Sequence, residues 1–478
     1  MLFQSPQFLL FFLLFFPAYW AMKNSLRLQN LLTLAASYVF YGWWDWRLLG
    51  LIGLTSGFDY VAALQIDQSG NESVRRAWLR ASLCFNLTIL GFFKYYNFFA
   101  AELQQLLHSV GIGGIDLRLN ILLPVGISFY TFQTLSYTVD VFRRQMSAAR
   151  DPVAFFAYIA FFPQLVAGPI ERAQHLVPQF TAKRHFEYRT AVASARLVLW
   201  GFFKKLAVAD ACAPFVDRCF QADAQVSGWL LMAASVAFAF QIYGDFSGYS
   251  DIARGTAGLL GINLMQNFRF PYFSESPAEF WRRWHISLSS WFRDYVYIPL
   301  GGGRQGRRRA SLNVLLVFGL SGLWHGAAWT YVVWGLLNGV LVLITNERRN
   351  TEDDDHALWP APTRVLRMLA TFVLITGGWL FFRAHSIEHA LTCVRTMLSD
   401  VVQHPGGGLP VLKWLALREY WPWLVLLLLV PEWFAFRRGL KLDVLPRGVR
   451  WGVYVGLCSL IAWTAFCRPA SEFLYFQF

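Results

Sequence analysis

The sequence predicts an all-α polytopic membrane protein, and three observations carry this prediction. Of the 478 residues, 56% are hydrophobic and 15% are charged, whereas soluble domains carry about 25% charged residues. The mean hydropathy is +0.38. Apolar runs of about 20 residues, the length with which an α-helix spans the hydrocarbon core, recur along the chain. The composition therefore excludes a disordered chain and disfavours a series of soluble domains.

Shorter apolar pieces lie between the long ones and are interrupted by Pro, Gly or polar residues. Such backbone is tolerated at membrane depth only where protein or water surrounds it. We therefore expect about ten or eleven spans, with re-entrant and interfacial helices around a cavity. The spans are predicted at 4–22, 30–45, 47–66, 78–99, 192–210, 228–243, 365–383, 420–436 and 451–468, and the shorter pieces at 119–133, 152–168, 249–262 and 312–345.

A single integral-membrane domain is predicted for residues 1–478. Its parts are N-terminal helices at 1–110, a core at 119–345 and C-terminal helices at 365–478. Residues 1–22 lack a basic start and a cleavage site, so they are predicted to form a membrane helix and not a signal peptide. The six cysteines form no C-x-x-C pair, which predicts neither a disulfide framework nor a metal site of thiolates.

The formal net charge of +13 predicts orientation, because an excess of Lys and Arg marks cytoplasmic loops. No basic tail or RNA-binding signature indicates nucleic-acid binding. The basic segments 75–80, 304–309 and 437–450 are predicted as cytoplasmic loops, and 347–356, which mixes both signs, as a solvated loop. The apolar leg 312–323 has 12 residues and reaches only ~18 Å as a helix. The following Trp324 and His325 are therefore predicted within the membrane thickness.

Two of the nine histidines, His285 and His325, lie in apolar sequence. An ionisable side chain inside a membrane is costly, which makes it a candidate functional group. Gly322 and Gly326 flank His325 and allow close helix approach. The alternative is a packing helix whose histidine only hydrogen-bonds a neighbour.

His285 lies in a segment predicted as one amphipathic helix. Ser276 is its predicted N-cap, Pro277 its first residue and Glu279 the partner in a capping box, and Pro299 and Gly301 are predicted to stop it. The alternative to catalysis is an interfacial anchor whose arginines meet lipid headgroups. The apolar face comprises Trp281, Trp284, Leu288, Trp291, Tyr295 and Ile298, and a second stripe comprises Arg282, His285, Ser289 and Arg293.

Two carboxylates and a glycine-rich segment are further candidates. Asp245 and Asp251 adjoin a long apolar run and can orient a histidine or line a polar cavity. Asp245 can also cap a helix beginning near Phe246, and structural roles are favoured for both. The basic segment 301–306 lacks the ending of a P-loop. It is a candidate contact for the phosphates of an acyl donor, or a plain cytoplasmic loop.

The residues leave the reaction open. The sequence contains no nucleophile elbow, metalloprotease helix or EF-hand loop, and two histidines without a carboxylate cluster predict no metal site. An imidazole can remove the proton of an attacking hydroxyl group. Acyl transfer is therefore compatible with buried histidines, but the residues alone do not select it.

Several segments resemble the signature blocks of the membrane-bound O-acyltransferase (MBOAT) family. Residues 281–302, which begin W-R-R-W-H-I-S-L and continue to F-R-D-Y-V-Y-I-P-L-G-G, resemble its first histidine block. Residues 321–326, S-G-L-W-H-G, resemble its second. Residues 162–170 and 241–251 resemble further blocks of the bacterial branch, and 473–478 resemble the ending of polysaccharide-acetylating members. The resemblance extends over nearly the whole chain.

The resemblance implies a rim of helices around a central funnel with a thin floor. It implies His325 as the catalytic histidine, acting as general base or as transient acyl carrier, and His285 as the second signature position. The expected supporting residues are Asp245, Trp324, Arg282 and Ser287, and the expected donor contacts are Arg304, Arg307 and Arg308.

An O-acetyltransferase of the bacterial inner membrane is the function that the resemblance implies. Its donor would be acetyl-CoA or another cytosolic thioester, with no tightly bound cofactor. The acetyl group would pass to a periplasmic acetyltransferase or acceptor protein that modifies an exopolysaccharide of the alginate or cellulose type. The lipid bilayer is a partner and nucleic acid is not. The alternatives are D-alanyl transfer to teichoic acid by the same fold, a polysaccharide transporter, and a scaffold that recruits periplasmic acetyltransferases.

Overall fold

The computed structural model describes residues 1–112, 114, 116–166, 168–221, 226–345, 358–439, 442–467 and 473–474. These residues form helices and no strand, so the all-helical prediction is confirmed. The first ten helices are α1 (Pro6–Ala21), α2 (Leu26–Gly42), α3 (Leu48–Gln68), α4 (Glu72–Leu90), α5 (Tyr96–Ser109), α6 (Ile127–Phe142), α7 (Pro152–Ala160), α8 (Phe162–Leu165), α9 (Ala173–Thr181) and α10 (Tyr188–Phe202).

Eleven further helices follow in the described part of the chain. Between the α-helices of the described chain lie three π-helical stretches (Gly91–Tyr95, Phe203–Ala209 and Arg293–Tyr297) and two 3-10 turns (Pro271–Phe273 and Leu442–Val444). The helices are α11 (Asp210–Cys219), α12 (Gly228–Leu259), α13 (Pro277–Arg283), α14 (Ile286–Phe292), α15 (Arg307–His325), α16 (Trp329–Thr345), α17 (Pro362–Arg383), α18 (Ile387–Gln403), α19 (Gly408–Arg418), α20 (Trp421–Arg438) and α21 (Arg447–Cys467).

The contacts divide the chain into two compact units. Unit 1 consists of Met1–Val198 and Ile252–Met265, and unit 2 of Leu199–Asp251 and Gln266–Phe478. The expected division into segments 1–110, 119–345 and 365–478 of one domain stays a prediction.

Unit 1 buries polar groups between its helices. Asp59 of α3 is fully buried and accepts hydrogen bonds from the Ser82 hydroxyl at 2.6 Å and from the Asn86 amide on α4. Thr134 of α6 contacts Asn86 in turn at 3.5 Å. Because a buried polar group must find a partner inside the protein, these contacts tie three helices together.

Unit 2 brings two helix pairs unusually close. A Cβ on Gly244 of α12 would lie 2.8 Å from the Lys204 carbonyl oxygen, and one on Gly322 of α15 would lie 2.1 Å from the Tyr331 carbonyl oxygen. A Cβ on Gly326 would meet the Tyr331 ring at the same distance of 2.1 Å. The close helix approach predicted at Gly322 is thus confirmed, because a larger residue would meet the backbone of α16. Gly326 follows the last residue of α15 and would meet a side chain instead.

Four described helices are long and apolar enough to cross a membrane: Leu48–Gln68, Gly228–Leu259, Pro362–Arg383 and Arg447–Phe466. A fifth crossing is possible if the pair Gly408–Arg418 and Trp421–Arg438, bent by 88°, counts as one span. The Arg447–Phe466 span is only 6% buried, as expected for a helix that faces lipid.

Three local predictions are wrong. The predicted span 228–243 and the shorter piece 249–262 are parts of one helix, α12, so Asp245 is a mid-helix residue and not an N-cap. The predicted helix after Ser276 breaks at His285 into α13 and α14. Arg75, Arg76 and Arg80 belong to helix α4 and not to a loop.

The leg that leads to His325 is longer than its apolar residues suggested. Helix α15 has 19 residues and begins at Arg307, which corresponds to ~28 Å at the usual helical rise. The length argument that placed His325 inside the membrane therefore no longer holds, because α15 nearly matches the hydrocarbon thickness. Residues 347–356, predicted as a solvated loop, lie outside the described residues.

Candidate functional site

The backbone turns sharply at His285. Its φ is 43° and ψ 54°, the left-handed region that a residue with a side chain rarely adopts. Its carbonyl oxygen accepts the backbone N–H of Ser289 at 3.0 Å and so begins α14. Such strain costs about 1–3 kcal/mol and persists where surrounding contacts enforce it.

Asn267 supplies those contacts. Its carbonyl oxygen accepts the N–H of Ile286 at 2.9 Å, and its side-chain oxygen accepts the N–H of Ser287 at 3.2 Å. Its side-chain amide donates to the Ser250 hydroxyl at 3.2 Å. Asn267 thus satisfies N–H groups that the start of a helix leaves open, and it links the His285 turn to α12.

His325 is the last residue of α15 and is 3% exposed. The next residue, Gly326, is extended, and the chain continues into α16. Aromatic rings enclose the imidazole: Trp334 stands perpendicular to it at 5.1 Å between centroids, and Phe382 lies at 5.6 Å. These rings place the histidine in a largely apolar environment.

The structure brings the two candidate histidines together. Their ring centroids are 6.2 Å apart, and His285 is 1% exposed. Trp324 packs against both, at 5.8 Å from His285 and 5.0 Å from His325. Phe246 of α12 lies across His285 with its centroid at 4.6 Å. Two buried imidazoles at this separation can act on one small reacting group, for example by moving a proton.

Asp245 lies one residue from Phe246 but takes part in a different contact. One carboxylate oxygen pairs with the Lys205 ammonium group at 2.6 Å, and the other accepts the backbone N–H of Leu474 at 2.8 Å. Lys205 also pairs with Asp210 at 2.9 Å. None of the described partners of Asp245 is a histidine, so its role is to bind the π-helical stretch and the C-terminal segment to α12.

The C-terminal segment reaches the same aromatic cluster. Phe473 is fully buried, with its ring 4.3 Å from Tyr249 and 6.1 Å from Phe246. The remaining residues of the expected terminal motif, 475–478, lie outside the described residues.

A second buried ion pair adjoins the first along the chain. Lys204 pairs with Asp251 at 2.9 Å and with Glu432 of α20 at 3.4 Å. The Tyr243 hydroxyl donates to Glu432 at 2.8 Å. Asp251, the other carboxylate noted in the sequence, therefore also serves an ion pair.

The remaining expected residues lie in different surroundings. Ser287 is fully buried beside the His285 turn, and Trp324 belongs to the histidine cluster. Arg282 is exposed at the end of α13 and does not join the buried cluster. The expected donor contacts Arg304, Arg307 and Arg308 are all exposed, at or just before the start of α15.

Sequence reasoning missed Asn267, Lys204 and Lys205. The lysines had a signal: two adjacent cations inside the predicted span 192–210 require counter-charges within the protein. No sequence signal pointed to Asn267, because an asparagine between apolar runs is usual for a loop.

The sequence is similar to those of several known proteins. The sequence profile described as "MBOAT, membrane-bound O-acyltransferase family" matches residues 128–382, which include both histidines. The probable alginate O-acetylase AlgI of Azotobacter vinelandii is 42% identical over 84% of this chain and 78% of its own length. The peptidoglycan O-acetyltransferase of Helicobacter pylori is 34% identical over 83% of this chain and 80% of its own length. The teichoic acid D-alanyltransferase of Bacillus subtilis is 29% identical over 56% of this chain and 71% of its own length.

Proposed function

The chain belongs to the membrane-bound O-acyltransferase family and is an O-acyltransferase, and we propose that it transfers acetyl groups for the O-acetylation of an exported polysaccharide. The observation that carries the proposal is the buried pair of His285 and His325 inside the segment that matches the family profile. Alginate-type or cellulose-type polymers are the substrate class, in line with the relatives named alginate O-acetylases.

In the proposed reaction, His325 is the general base. The acceptor hydroxyl oxygen attacks the carbonyl carbon of an acetyl thioester while His325 takes the hydroxyl proton. The new C–O bond forms, the C–S bond breaks, and the leaving thiolate receives the proton from the imidazolium. A histidine that carries the acetyl group covalently is the second form of the same proposal. The apolar rings of Trp334 and Phe382 support either form, since exclusion of water protects the thioester from hydrolysis.

His285 has the role of orienting the reacting group or stabilising charge. Asn267 holds the backbone turn at His285, and Phe246 packs against the His285 ring. The ring therefore has little freedom to move. A rigid second imidazole lowers the entropy cost of arranging the reactants.

The donor is proposed to be acetyl-CoA or another cytosolic thioester that approaches near the exposed Arg304, Arg307 and Arg308. Arginine side chains bind phosphate groups through paired N–H donors. The acetyl group leaves toward a periplasmic acetyltransferase or acceptor protein. The same proposal includes the bacterial inner membrane as location, a central funnel and about ten or eleven spans.

Chemical analysis of the cell envelope tests the proposed cargo. In a strain that lacks the gene, alkali-labile acetate on the exported polysaccharide should disappear while polymer yield and ester-linked D-alanine stay constant. Loss of D-alanine would identify a D-alanyltransferase instead. Loss of the polymer itself would favour a transporter.

A paired charge reversal tests the donor loop. Arg304→Glu together with Arg307→Glu should weaken acetyl-CoA binding to the purified protein, because two attractive charges become repulsive. Arg76→Glu with Arg80→Glu reverses two exposed arginines of α4 and is the matched control. Equal donor affinity in both variants would remove the 304–308 loop from the site.

A further inference from the structure

Unit 1 contains a cavity of about 390 Å³ at the end of α1. Its walls come from the end of α1, the start of α10 and the end of α12 with the residues that follow it; they include Trp20, Phe186, Thr190, Ala193, Arg254 and Gly261. None of these residues belongs to the histidine site. We propose that this cavity binds the phosphate-bearing headgroup of an anionic phospholipid.

A buried positive charge stands beside the cavity wall. Arg184 is 5% exposed, and its Cβ lies near the position that a Cβ on Gly261 would take. Its guanidinium donates to the Tyr19 hydroxyl at 3.0 Å, the Asn30 side-chain oxygen at 2.5 Å and the Gln179 carbonyl oxygen at 3.2 Å. All three partners are neutral, so within the described residues no carboxylate cancels this charge. A buried cation of this kind attracts an anion into the space beside it.

The cavity lining adds a second cation. Arg254 lines the cavity and attracts the carboxylate of Glu171. The one acidic residue in the lining, Glu187, has its carboxylate engaged by the Thr190 hydroxyl at 2.6 Å. The exposed Lys183 and Arg189 flank the lining residues His185, Phe186 and Glu187 in the sequence and add positive charge. The local field therefore favours an anionic group.

The surroundings of the cavity favour a lipid over a soluble anion. The outer face of α1 exposes four leucines, each 61–69% exposed: Leu9, Leu10, Leu13 and Leu14. At the end of the same helix Trp20 packs edge-to-face against Phe186 at 5.3 Å. A tryptophan at the end of an apolar helix is typical of the membrane–water interface. A lipid whose phosphate enters the cavity can lay its acyl chains along α1.

The connections of unit 1 indicate the side of the membrane. Helices α1 to α4 are joined by short turns at 22–25, 43–47 and 69–71, the connections typical of helices that run in opposite directions. The end of α1 consequently lies on the same side as the start of α4, which carries Arg75, Arg76 and Arg80. By the positive-inside rule that side is cytoplasmic, where basic pockets between membrane helices bind anionic headgroups.

Native mass spectrometry of the purified full chain tests this site. We expect dioctanoyl-phosphatidylglycerol to bind saturably and more tightly than dioctanoyl-phosphatidylcholine. Arg254→Gln should weaken phosphatidylglycerol binding about five-fold, the effect of one arginine near a membrane surface. Ala193→Phe should weaken it at least as much, because the new ring fills the cavity while every charge remains. Arg80→Gln, which removes an exposed arginine on the same side, is the matched control and should leave binding unchanged.

Two outcomes overturn the proposal. Equal phosphatidylglycerol binding by Ala193→Phe, Arg80→Gln and the unchanged protein would show that the lipid binds elsewhere. Displacement of the lipid by millimolar coenzyme A or inorganic phosphate would assign the cavity to a soluble phosphate and not to a lipid. Because Ala193 is exposed, the Ala193→Phe variant tests whether the lipid binds in this cavity even if Arg254→Gln fails to fold.

Discussion

The imidazole rings of His285 and His325 lie 6.2 Å apart, although forty residues separate them in the chain. Each histidine stands where a helix is interrupted: His285 at a left-handed turn before α14, and His325 at the last position of α15. Residues at such breaks depend on a few specific contacts for their placement. Asn267 accepts the N–H groups of Ile286 and Ser287, the two residues that follow His285, which makes Asn267 a positioning residue.

Replacing Asn267 with Ala should lower acetyl transfer more than it lowers protein level. The change removes the side-chain acceptor of the Ser287 N–H and the donor to Ser250, and leaving a buried N–H unpaired costs about 1–3 kcal/mol. Acetyl content of the polymer and thermal unfolding in detergent are the two measurements. Gln266→Ala, at the exposed neighbouring position, is the control. Full activity in Asn267→Ala would show that the turn keeps its shape without this side chain.

Lys205→Met should destabilise unit 2 strongly. Lys205 is the cation that holds Asp245 and Asp210, and removing one partner of a buried ion pair costs about 3–5 kcal/mol. Adding Asp245→Asn should recover part of the loss, because one of the two stranded charges disappears. The comparison is Arg218→Met, which breaks the exposed pair with Glu419 and should cost at most about 1 kcal/mol. Similar unfolding midpoints for Lys205→Met and Arg218→Met would contradict the buried ion-pair network.

Gly322→Ala should disrupt the pairing of α15 and α16. The added Cβ would lie 2.1 Å from the Tyr331 carbonyl oxygen, and relieving the clash requires the backbones to separate, at a cost of about 1–3 kcal/mol or more. Gly377→Ala in α17 is the matched control, since no atom lies within 4 Å of its added Cβ. That control should be neutral or slightly stabilising, because Ala favours helix. An unfolding midpoint unchanged by Gly322→Ala would refute the close approach.

The pair Glu171–His175 predicts that unit 1 loses stability as pH rises. The hydrogen bond to Glu171 at 2.9 Å raises the pKa of His175 above its ordinary 6.5, and burial raises the pKa of Glu171 above 4.5. In both groups the folded state holds the proton more tightly than the unfolded chain does. The resulting stabilisation is complete below the unfolded pKa and is lost as pH rises through the folded pKa.

Thermal unfolding measured at several pH values and constant ionic strength checks this sign. For the unchanged protein the midpoint should fall as pH rises above 6.5, the ordinary pKa of His175. His175→Gln should flatten that part of the curve, because the titrating group is gone. A midpoint that rises over this interval in the unchanged protein would contradict the contact.

Sequence patterns that involve only a few neighbouring residues correctly predicted where a helix starts. Ser276, Pro277 and Glu279 predicted the start of α13, and the Ser276 hydroxyl does accept the Glu279 N–H at 3.2 Å. The Glu279 carboxylate differs from the capping-box expectation, since it accepts the N–H of Glu275 and not of Ser276. Capping depends on neighbours in the chain, which is why its position can be predicted.

Contacts between distant segments could not be predicted in this way. The apolar spacing from Trp281 to Ile298 indicated one helix, but Asn267 captures the N–H groups of Ile286 and Ser287 and breaks it. Asp245 was a candidate cap because Asp is a preferred N-cap residue, whereas its partner Lys205 lies forty residues earlier. In both cases a tertiary hydrogen bond or ion pair overrides the local preference.

The polymer-bound acetate in a gene-deleted strain that expresses His325→Ala tests the central claim most directly. The comparison strains express the unchanged protein and His108→Ala, which replaces an exposed histidine of α5. With equal amounts of protein in the membrane, we predict full acetylation in both comparison strains and none with His325→Ala. Acetylation retained in the His325→Ala strain would contradict a reaction at this imidazole and would favour a scaffold.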